Sequence, residues 1–274
     1  MDGTIFRAYS GGMSLAIVIA AYNRLHLLRQ CIDNVVSRTS DATREILIWD
    51  NASDAETAAY LDSLTDPRIK VVHSPRNIGQ NAYAHAFPLT TSDYLLQLDD
   101  DVIDAPHHWD AVLLDAFERL PTIGYLATHI VDDGHSWACD IIHRQNRHLY
   151  TSRTVNGVRI LDGPTGGWCA LTSRDIHDRA GGYPENKDQV YWLADEGYLQ
   201  RIQKLGYGAA ILEGLEVFHA NGPHYSDEFP EKQAYWRDRE RSQARKDAVK
   251  RVLLRMPFGR RLNTRFEFFV EPTK

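Results

Sequence analysis

The 274-residue sequence has little cysteine and no long apolar run. Its three cysteines, Cys31, Cys139 and Cys169, are too few and too scattered for a disulfide framework or a zinc site, and they favour a reducing compartment. No apolar run approaches the ~20 residues of a transmembrane helix. Residues 13–22 resemble a signal-peptide core, but the segment before them is not basic overall. We therefore expect a cytoplasmic protein.

The sequence also lacks internal repeats and low-complexity segments. With 43% hydrophobic and 25% charged residues, its composition is ordinary for a globular protein that buries a core. The length fits one large α/β domain, with or without an appendage.

Charge is unevenly distributed along the chain. Residues 1–229 contain 18 lysines and arginines against 31 aspartates and glutamates, whereas residues 230–274 contain 13 against 6. The acidic body argues against a nucleic-acid partner. We divide the chain into a domain at 1–225 and a basic, amphipathic C-terminal extension at 226–274, which we call the basic tail.

The basic tail has a helical pattern with one apolar and one basic face. The apolar positions are Ala248, Val249, Val252, Leu253 and Met256, and the basic positions are Lys246, Lys250, Arg251 and Arg255. Such a helix either lies on the anionic, cytoplasmic face of a membrane or packs on the acidic body. Salt-dependent co-sedimentation with anionic vesicles would distinguish these two alternatives.

Strand-like and helix-like segments alternate in the first half of the chain. Strands are predicted at 15–20, 46–49, 69–72 and 94–98, and helices after Asn23, at 54–64 and at 80–87. Asn23 is the predicted N-cap of the first helix, and Ser53 with Glu56 has the spacing of a capping box. This alternation predicts an α/β fold with a doubly wound, mostly parallel sheet.

The second half is less regular. A helix at 107–120, strands at 125–128 and 169–172, and helices at 175–180 and 193–205 precede two short strands at 209–212 and 215–219. Residues 131–161 have poor periodicity and read as a variable loop region or short strands.

The strand at 94–98 runs into three adjacent carboxylates, Asp99, Asp100 and Asp101. Like charges at a strand end repel one another unless a cation or strong donors neutralise them. Alternation along an extended backbone puts Asp99 and Asp101 on one side and Asp100 on the other. Oxygen ligands of this kind predict Mn²⁺ or Mg²⁺, although a solvated acidic turn is the commoner fate of short acidic runs.

The order of these motifs resembles glycosyltransferase family 2 on the GT-A fold over about residues 14–222. The matching segments are Ile17-Val18-Ile19-Ala20-Ala21-Tyr22-Asn23-Arg24, Trp49-Asp50-Asn51-Ala52-Ser53-Asp54, Asn77-Ile78-Gly79, Leu98-Asp99-Asp100-Asp101, Gly166-Gly167 and the helix from Asp195 to Tyr207. The family's helix usually opens with Glu-Asp, whereas Ala194-Asp195-Glu196 stands here. Counting back from Gly206-Tyr207 aligns Asp195 with the family's Asp.

The resemblance implies a GT-A domain with a nucleotide-binding half at about 14–130 and an acceptor half at about 131–225. It implies an inverting, metal-dependent transferase that moves a sugar from a nucleotide-diphospho-sugar, most simply a UDP-sugar, to a hydroxyl of a carbohydrate or lipid-linked acceptor. Surface polysaccharide or glycoconjugate synthesis is the expected setting.

The resemblance also implies site roles. The nucleotide site comprises Ala21, Tyr22, Arg24, Asp50, Arg76, Asn77, Asp99 and Asp100. The metal ligands are Asp99, Asp101 and His219, and His224 is the substitute for His219. The catalytic base is Asp195. The residues that contact the donor or acceptor sugar are Gly167, Trp168 and Glu196.

Several of these residues have a structural alternative. Tyr22 can be a core aromatic, and Trp168 can fill the core instead of stacking on a sugar. Asp50 can cap a turn, Asp195 can serve the helix N-terminus, and a lone histidine such as His219 is more often structural.

Two other function classes fit parts of the sequence. Asp99-x-Asp101 resembles the signature of haloacid-dehalogenase phosphatases, but that nucleophile follows the first strand, whereas Asp99 follows the fourth. A non-catalytic carbohydrate-binding relic of the fold would bind a donor sugar without turnover.

Overall fold

The computed structural model describes residues 12–226, together with the helical and exposed positions 233–234, 237–238, 241–242, 244–245 and 248. The chain divides into two compact units, Met1–Asp227 and Glu228–Lys274. Of the apolar face predicted in the basic tail, all members but Ala248 lie outside the described residues. No helix within the described ranges is long and apolar enough to cross a bilayer.

Ten strands and seven α-helices are described. The strands are β1 Leu15–Ala21, β2 Thr43–Asp50, β3 Ile69–His73, β4 Tyr94–Asp99, β5 Val102–Asp104, β6 Ile123–Ile130, β7 Thr151–Val155, β8 Val158–Asp162, β9 Cys169–Ser173 and β10 Gly208–His219. The helices are α1 Leu25–Arg38, α2 Ala55–Asp62, α3 Ala82–Ala86, α4 Trp109–Glu118, α5 Trp137–Asp140, α6 Arg174–Arg179 and α7 Ala194–Lys204. Short 3₁₀ turns flank α3, and a π turn, Ile141–Gln145, follows α5.

One sheet organises these elements, in the order β3-β2-β1-β4-β9-β6-β10-β8-β7, with β5 paired to β10. Strands β3, β2, β1 and β4 are parallel neighbours, and β10 is parallel to β6. Strand β9 enters between β4 and β6 and is antiparallel to both. The predicted α/β fold with a central, mostly parallel sheet is confirmed.

The sheet is buried where its parallel strands meet. Residues 15–19 of β1 are fully buried, as expected of a strand with helices on both faces. Helix α1 packs on this sheet through the apolar positions that recur every three to four residues, which are Leu28, Cys31, Ile32 and Val35. The apolar patterns of β1 and α1 together account for the burial of β1 between β2 and β4.

The structure confirms the fourth predicted strand and corrects the last two. The fourth strand ends at Asp99, where the acidic run begins, and the chain then turns at Asp100 and Asp101 and pairs with β10 as the separate strand β5. The two strands predicted at 209–212 and 215–219 form the single strand β10, whose pairing with β6 shifts register between Leu212 and Glu216. An irregularity of this kind lets one strand continue where the sequence pattern breaks.

The irregular region at 131–161 ends in a hairpin that sequence analysis did not resolve. Strands β7 and β8 are antiparallel and are joined by Asn156 and Gly157, which both have positive φ (49° and 78°). Asn-Gly at two such positions is the strongest short-range hairpin signal, because the turn twists in the same sense as the strands. The exposed strand β7 forms one edge of the sheet.

Asp110 is a fully buried carboxylate in the first turn of α4. It accepts hydrogen bonds from the Ser40 amide (2.8 and 3.0 Å), the Ser40 hydroxyl (2.8 Å) and the Thr43 hydroxyl (2.7 Å). These bonds fasten α4 to the segment that enters β2.

We predict that Asp110→Ala lowers the free energy of unfolding by about 2–4 kcal/mol, because several buried donors lose their acceptor. Asp115→Ala is the matched control on the same helix, since it removes only an exposed pair with Arg119 and should cost less than about 1 kcal/mol. Urea unfolding followed by circular dichroism measures both. Equal losses for the two variants would contradict this role of Asp110.

Candidate functional site

The carboxyl ends of β1, β2 and β4 lie side by side. Strand β1 pairs with β2 so that Ala21 is opposite Asp50, and with β4 so that Ala20 is opposite Asp99. In open parallel sheets this edge is where ligands bind. The register therefore brings together the motifs that sequence analysis placed at three separate strand ends.

The loops after β1 and β2 are tied to each other. The Asn23 side-chain oxygen accepts from the Asp54 amide (2.8 Å), and the Asn23 amide donates to the Ser53 hydroxyl (2.9 Å). The predicted N-caps were therefore wrong: α1 begins after Arg24 without a side-chain cap, and α2 is capped by Asp54, which accepts from the Thr57 amide (2.8 Å). The expected caps are used to join the two loops instead.

A carboxylate–histidine group lies at the end of β4. Ligand atoms of Asp99, Asp101 and His219 all lie within 4.8 Å of one another. His219 Nε2 is 2.9 Å from Asp101 Oδ1 and 3.5 Å from Asp99 Oδ2. Strand β10 brings His219 here, since the Ala220 amide donates to the Asp101 carbonyl (2.8 Å) and β5 pairs with the end of β10. We call these three residues the metal-ligand group.

Arg24 lies against the same acidic run. Its Nη1 is 2.8 Å from Asp101 Oδ2, and its Nη2 contacts Asp100 Oδ1. Asp100 also accepts from the Tyr22 amide (3.3 Å). Sequence analysis expected Arg24 and Asp100 in the nucleotide site, whereas in the structure each is a partner of the other.

The carboxylates of this run differ in their pKa. Burial raises the pKa of Asp99 to about 7. His219 opposes this increase, and the charges of Asp101 and Asp100 add to it. Burial likewise raises the pKa of Asp100 to about 6, although the positive charge of Arg24 lowers it. For Asp101 burial acts in the same direction, but Arg24 and His219 outweigh it and hold its pKa well below the usual range. Burial alone would lower the pKa of His219, yet Asp101 and Asp99 raise it.

The donor set of the metal-ligand group suits a divalent cation. Two carboxylates favour Mg²⁺ or Mn²⁺, and an imidazole ligand shifts the preference toward the transition metal. Within the described part of the chain, the buried Nδ1 of His219 has no hydrogen-bond partner. His224, the predicted substitute, stacks on His135 (ring centroids 4.1 Å apart) and is not part of the group. The residues therefore fit Mn²⁺ through His219.

Asp195 begins α7 and faces the glycine-rich approach to β9. Its Oδ2 accepts from the Gly167 amide (3.2 Å) and its Oδ1 from the Glu196 amide (3.0 Å). Asp195 is partly buried, whereas Glu196 is exposed. Burial raises the pKa of Asp195, which makes this carboxylate a better proton acceptor.

Gly167 and Trp168 are held by packing. A Cβ at Gly167 would lie 2.0 Å from Gln97 Nε2, so a larger residue there would displace the Gln97 side chain. Trp168 is 8% exposed and donates its indole N–H to the Thr128 carbonyl (3.0 Å). For Trp168 these contacts agree with the core-filling alternative.

The expected nucleotide residues lie on three neighbouring loops. Tyr22 is partly exposed after β1, and Arg76 and Asn77 follow β3. The Asn77 side chain accepts from the Gly79 amide (2.8 Å), which shapes the turn of the Asn77-Ile78-Gly79 motif. Arg76 is exposed.

Asp50 is buried, and each of its carboxylate oxygens has a protein partner. Its Oδ1 accepts from the Ser53 amide (2.9 Å), as the turn-capping alternative expected, and its Oδ2 is 2.8 Å from His73 Nδ1. His73 Nε2 lies 3.0 Å from Asp62. Sequence analysis missed His73, although Asp50 and His73 are the last residues of two neighbouring parallel strands and face each other in register.

The chain belongs to glycosyl transferase family 2, whose sequence model matches residues 16–181. Its fold is the GT-A fold of solved glycosyltransferases. No curated protein sequence matches the chain.

Three solved structures share this fold. A mannosyltransferase from Pyrobaculum calidifontis, in complex with GDP-Man and Mn²⁺, has a TM-score of 0.55 at 18% identity over 79% of this chain and 59% of its own. GalNAc-T7 in complex with UDP, GalNAc and Mn²⁺ has a TM-score of 0.56 at 18% identity, over 76% of this chain and 44% of its own. TarS from S. aureus has a TM-score of 0.59 at 11% identity, over 77% of this chain and 37% of its own. The chain thus spans between about a third and three-fifths of these relatives' lengths.

His73 gives the site a testable pH dependence. Its hydrogen bond to Asp50 raises its pKa against the opposing effect of burial, with Asp62 adding to the increase. A raised pKa in the folded state means that protonated His73 stabilises the fold below its ordinary pKa of about 6.5, and that this contribution is lost as pH rises through the raised value.

We predict that His73→Gln is less stable than the unmodified chain at pH 5.5 and that the difference shrinks toward pH 8.5. The difference should stay below about 1 kcal/mol, because His73 is 41% exposed. Chemical denaturation across this pH range measures it. Asp62→Asn, which removes one partner of His73, should weaken the pH dependence. A stability difference between His73→Gln and the unmodified chain that grows with pH would contradict an interaction of protonated His73 with Asp50 and Asp62.

Proposed function

We propose that the chain is an inverting glycosyltransferase that moves a sugar from a nucleotide-diphospho-sugar to an acceptor hydroxyl. The observation that carries the proposal is the metal-ligand group, Asp99, Asp101 and His219, at the ligand-binding edge of a family 2 domain. Two solved structures with the same fold are complexes with Mn²⁺, which agrees with this donor set.

The nucleotide is proposed to bind across the loops after β1, β2 and β3. Tyr22 is partly exposed there and offers a ring for base stacking, while Asp50 offers a carboxylate acceptor for the imide N–H of uracil. Ala21 lies beside Asp50 in the sheet register, and Arg76 and Asn77 extend the pocket. These features favour a UDP-sugar; the solved structures with the same fold include one complex with GDP-Man and one with UDP.

Asp99, Asp101 and His219 would hold Mn²⁺ or Mg²⁺. When bound, the cation supplies a Lewis acid that stabilises the charge growing on the diphosphate leaving group. The chain's own contribution is the orientation of these ligands: Arg24 fixes one oxygen of Asp101, and the other faces His219.

Asp195 is the proposed base. An acceptor hydroxyl loses its proton as its oxygen attacks the anomeric carbon, and Asp195 takes that proton. The raised pKa of Asp195 suits this task, and the Gly167 amide orients its carboxylate. Attack from the face opposite the leaving diphosphate inverts the anomeric configuration.

The acceptor side is proposed to be formed by residues 131–161 together with the loop that contains Gly167 and the first turn of α7, which contains Glu196. A carbohydrate or lipid-linked acceptor, as used in surface polysaccharide or glycoconjugate synthesis, is the class that we propose. A carbohydrate-binding protein without turnover is distinguished from this enzyme by the absence of product. The phosphatase alternative has no support from the family match.

The first prediction concerns the metal. Asp101→Ala should abolish the Mn²⁺-dependent thermal stabilisation produced by UDP or GDP, because it removes a ligand that stays ionised at neutral pH. Asp104→Ala is the control, since it removes an exposed carboxylate that pairs with Arg38. Nucleotide stabilisation that is equal with Mn²⁺ and with chelator in the unmodified protein would argue against a metal-dependent site.

The second prediction concerns the base. Asp195→Asn should leave donor binding nearly intact and lower transfer by a factor of ~10² or more, the usual scale for a positioned base. Glu196→Gln should cost far less, because Glu196 is exposed and points about 100° away on the helix. Product formation from radiolabelled nucleotide-sugar, with binding followed separately, measures both. An active Asp195→Asn beside an inactive Glu196→Gln would move the base to position 196.

A further inference from the structure

Arg24 is a nearly buried cation whose partners belong to the acidic run. Its side chain is 19% exposed, and the side chains of Asp100 and Asp101 are 5% and 6% exposed. A guanidinium is permanently charged and cannot relieve a burial cost by losing its proton. Such a group is stable here only because the two carboxylates face it.

The backbone at Arg24 holds this arrangement in place. Arg24 has φ 50° and ψ 41°, in the left-handed region that residues with a Cβ rarely adopt, and its neighbour Asn23 has φ 54°. The Arg24 carbonyl accepts from the Leu28 amide (3.1 Å), which starts α1, while Asn23 is bonded to the β2–α2 loop. The local strain is thus maintained by contacts on both sides.

The two oxygens of Asp101 face different partners. Oδ2 is bonded to Arg24, whereas Oδ1 faces His219 and the metal-ligand group. Arg24 therefore contacts the oxygen of Asp101 that faces away from His219. It neutralises part of the charge that would attract a cation, and it also neutralises Asp100, whose carboxylate lies outside the metal-ligand group.

We propose that Arg24 is a built-in counterion, which keeps the acidic run assembled without metal and lowers its affinity for a free divalent cation. The cation then enters with the diphosphate of the donor, whose negative charge offsets that of Arg24. This inference rests on the proposed function. It predicts that loss of Arg24 makes the nucleotide-free protein bind Mn²⁺ more tightly, because the three carboxylates keep one more uncompensated charge.

The test measures Mn²⁺ affinity by the paramagnetic resonance signal of the free ion, with and without UDP. Arg24→Met should bind Mn²⁺ roughly tenfold or more tightly without nucleotide, and UDP should improve its affinity less than it does in the unmodified protein. Arg24→Lys keeps the charge and should stay near the unmodified value. Arg38→Met is the matched control at the far end of α1 and should change nothing, since Arg38 pairs with Asp104 outside the metal-ligand group.

A substitution at Asp100 should change the Mn²⁺ affinity in the opposite direction. Asp100→Asn should weaken nucleotide-free Mn²⁺ binding about fivefold or more, and Arg24→Met combined with Asp100→Asn should return it to within about threefold of the unmodified protein, because the charge balance is restored. If Arg24→Met unfolds in chelator, the direction in which Asp100→Asn changes the nucleotide-free Mn²⁺ affinity tests the proposal by itself.

Equal or weaker Mn²⁺ binding by a folded Arg24→Met, or tighter binding by Asp100→Asn, would overturn the counterion while leaving the proposed function in place. An unmodified protein that binds no Mn²⁺ even with UDP would overturn the proposed function as well.

Discussion

The neutralisation of three consecutive carboxylates is the constraint on which the edge of the sheet depends. Buried like charges are costly unless each faces a partner, and the turn after β4 divides Asp99, Asp100 and Asp101 between two of them. Asp99 and Asp101 face His219 from the last strand of the sheet, whereas Asp100 and the second oxygen of Asp101 face Arg24 from the first loop. The acidic run thereby connects the beginning and the end of the domain.

The parallel sheet supplies these partners from distant parts of the sequence. Strand β1 lies between β2 and β4, so the loops after all three strands open at one edge. Three of the five non-glycine residues with positive φ in the described chain, Asn23, Arg24 and Ala52, lie in those loops. Strain of this kind persists where the surroundings over-determine it, and the Asn23 bonds to Ser53 and Asp54 do so here.

Sequence patterns were sufficient for the regular half of the domain and for the acidic run. Continuous apolar strands and helical spacing predicted β1 to β4 with α1 and α2, and strand-end logic placed Asp50 and Asp99 at one edge. The pairing of β5 with β10 was not predictable, because it depends on a turn at Asp101 whose carbonyl is bonded 119 residues later, at the Ala220 amide. The Asn156-Gly157 turn was readable, and its signal was overlooked among polar neighbours.

Side-chain partners were harder to predict than positions. Asn23 and Ser53 have the chemistry of helix caps, yet tertiary contacts between two loops outweigh local capping. His73 carries no motif, and only the register of β2 and β3 shows that it faces Asp50. Arg24 is similar: its position beside Tyr22 suggested the nucleotide, whereas the left-handed backbone directs it to the carboxylates.

The environments of Asp101 and Asp195 suit the two different chemical roles that we propose for these carboxylates. Arg24 and His219 overcome burial at Asp101 and keep it anionic, while burial dominates at Asp195 and raises its pKa. A group that must hold a cation needs a fixed negative charge, and a group that must accept a proton needs a higher pKa. The Gly167 amide bonds Asp195, and the carbonyl of the next residue, Trp168, accepts from the Asp99 amide (2.8 Å). The approach to β9 therefore ties the proposed base to the end of β4, where the proposed cation site begins.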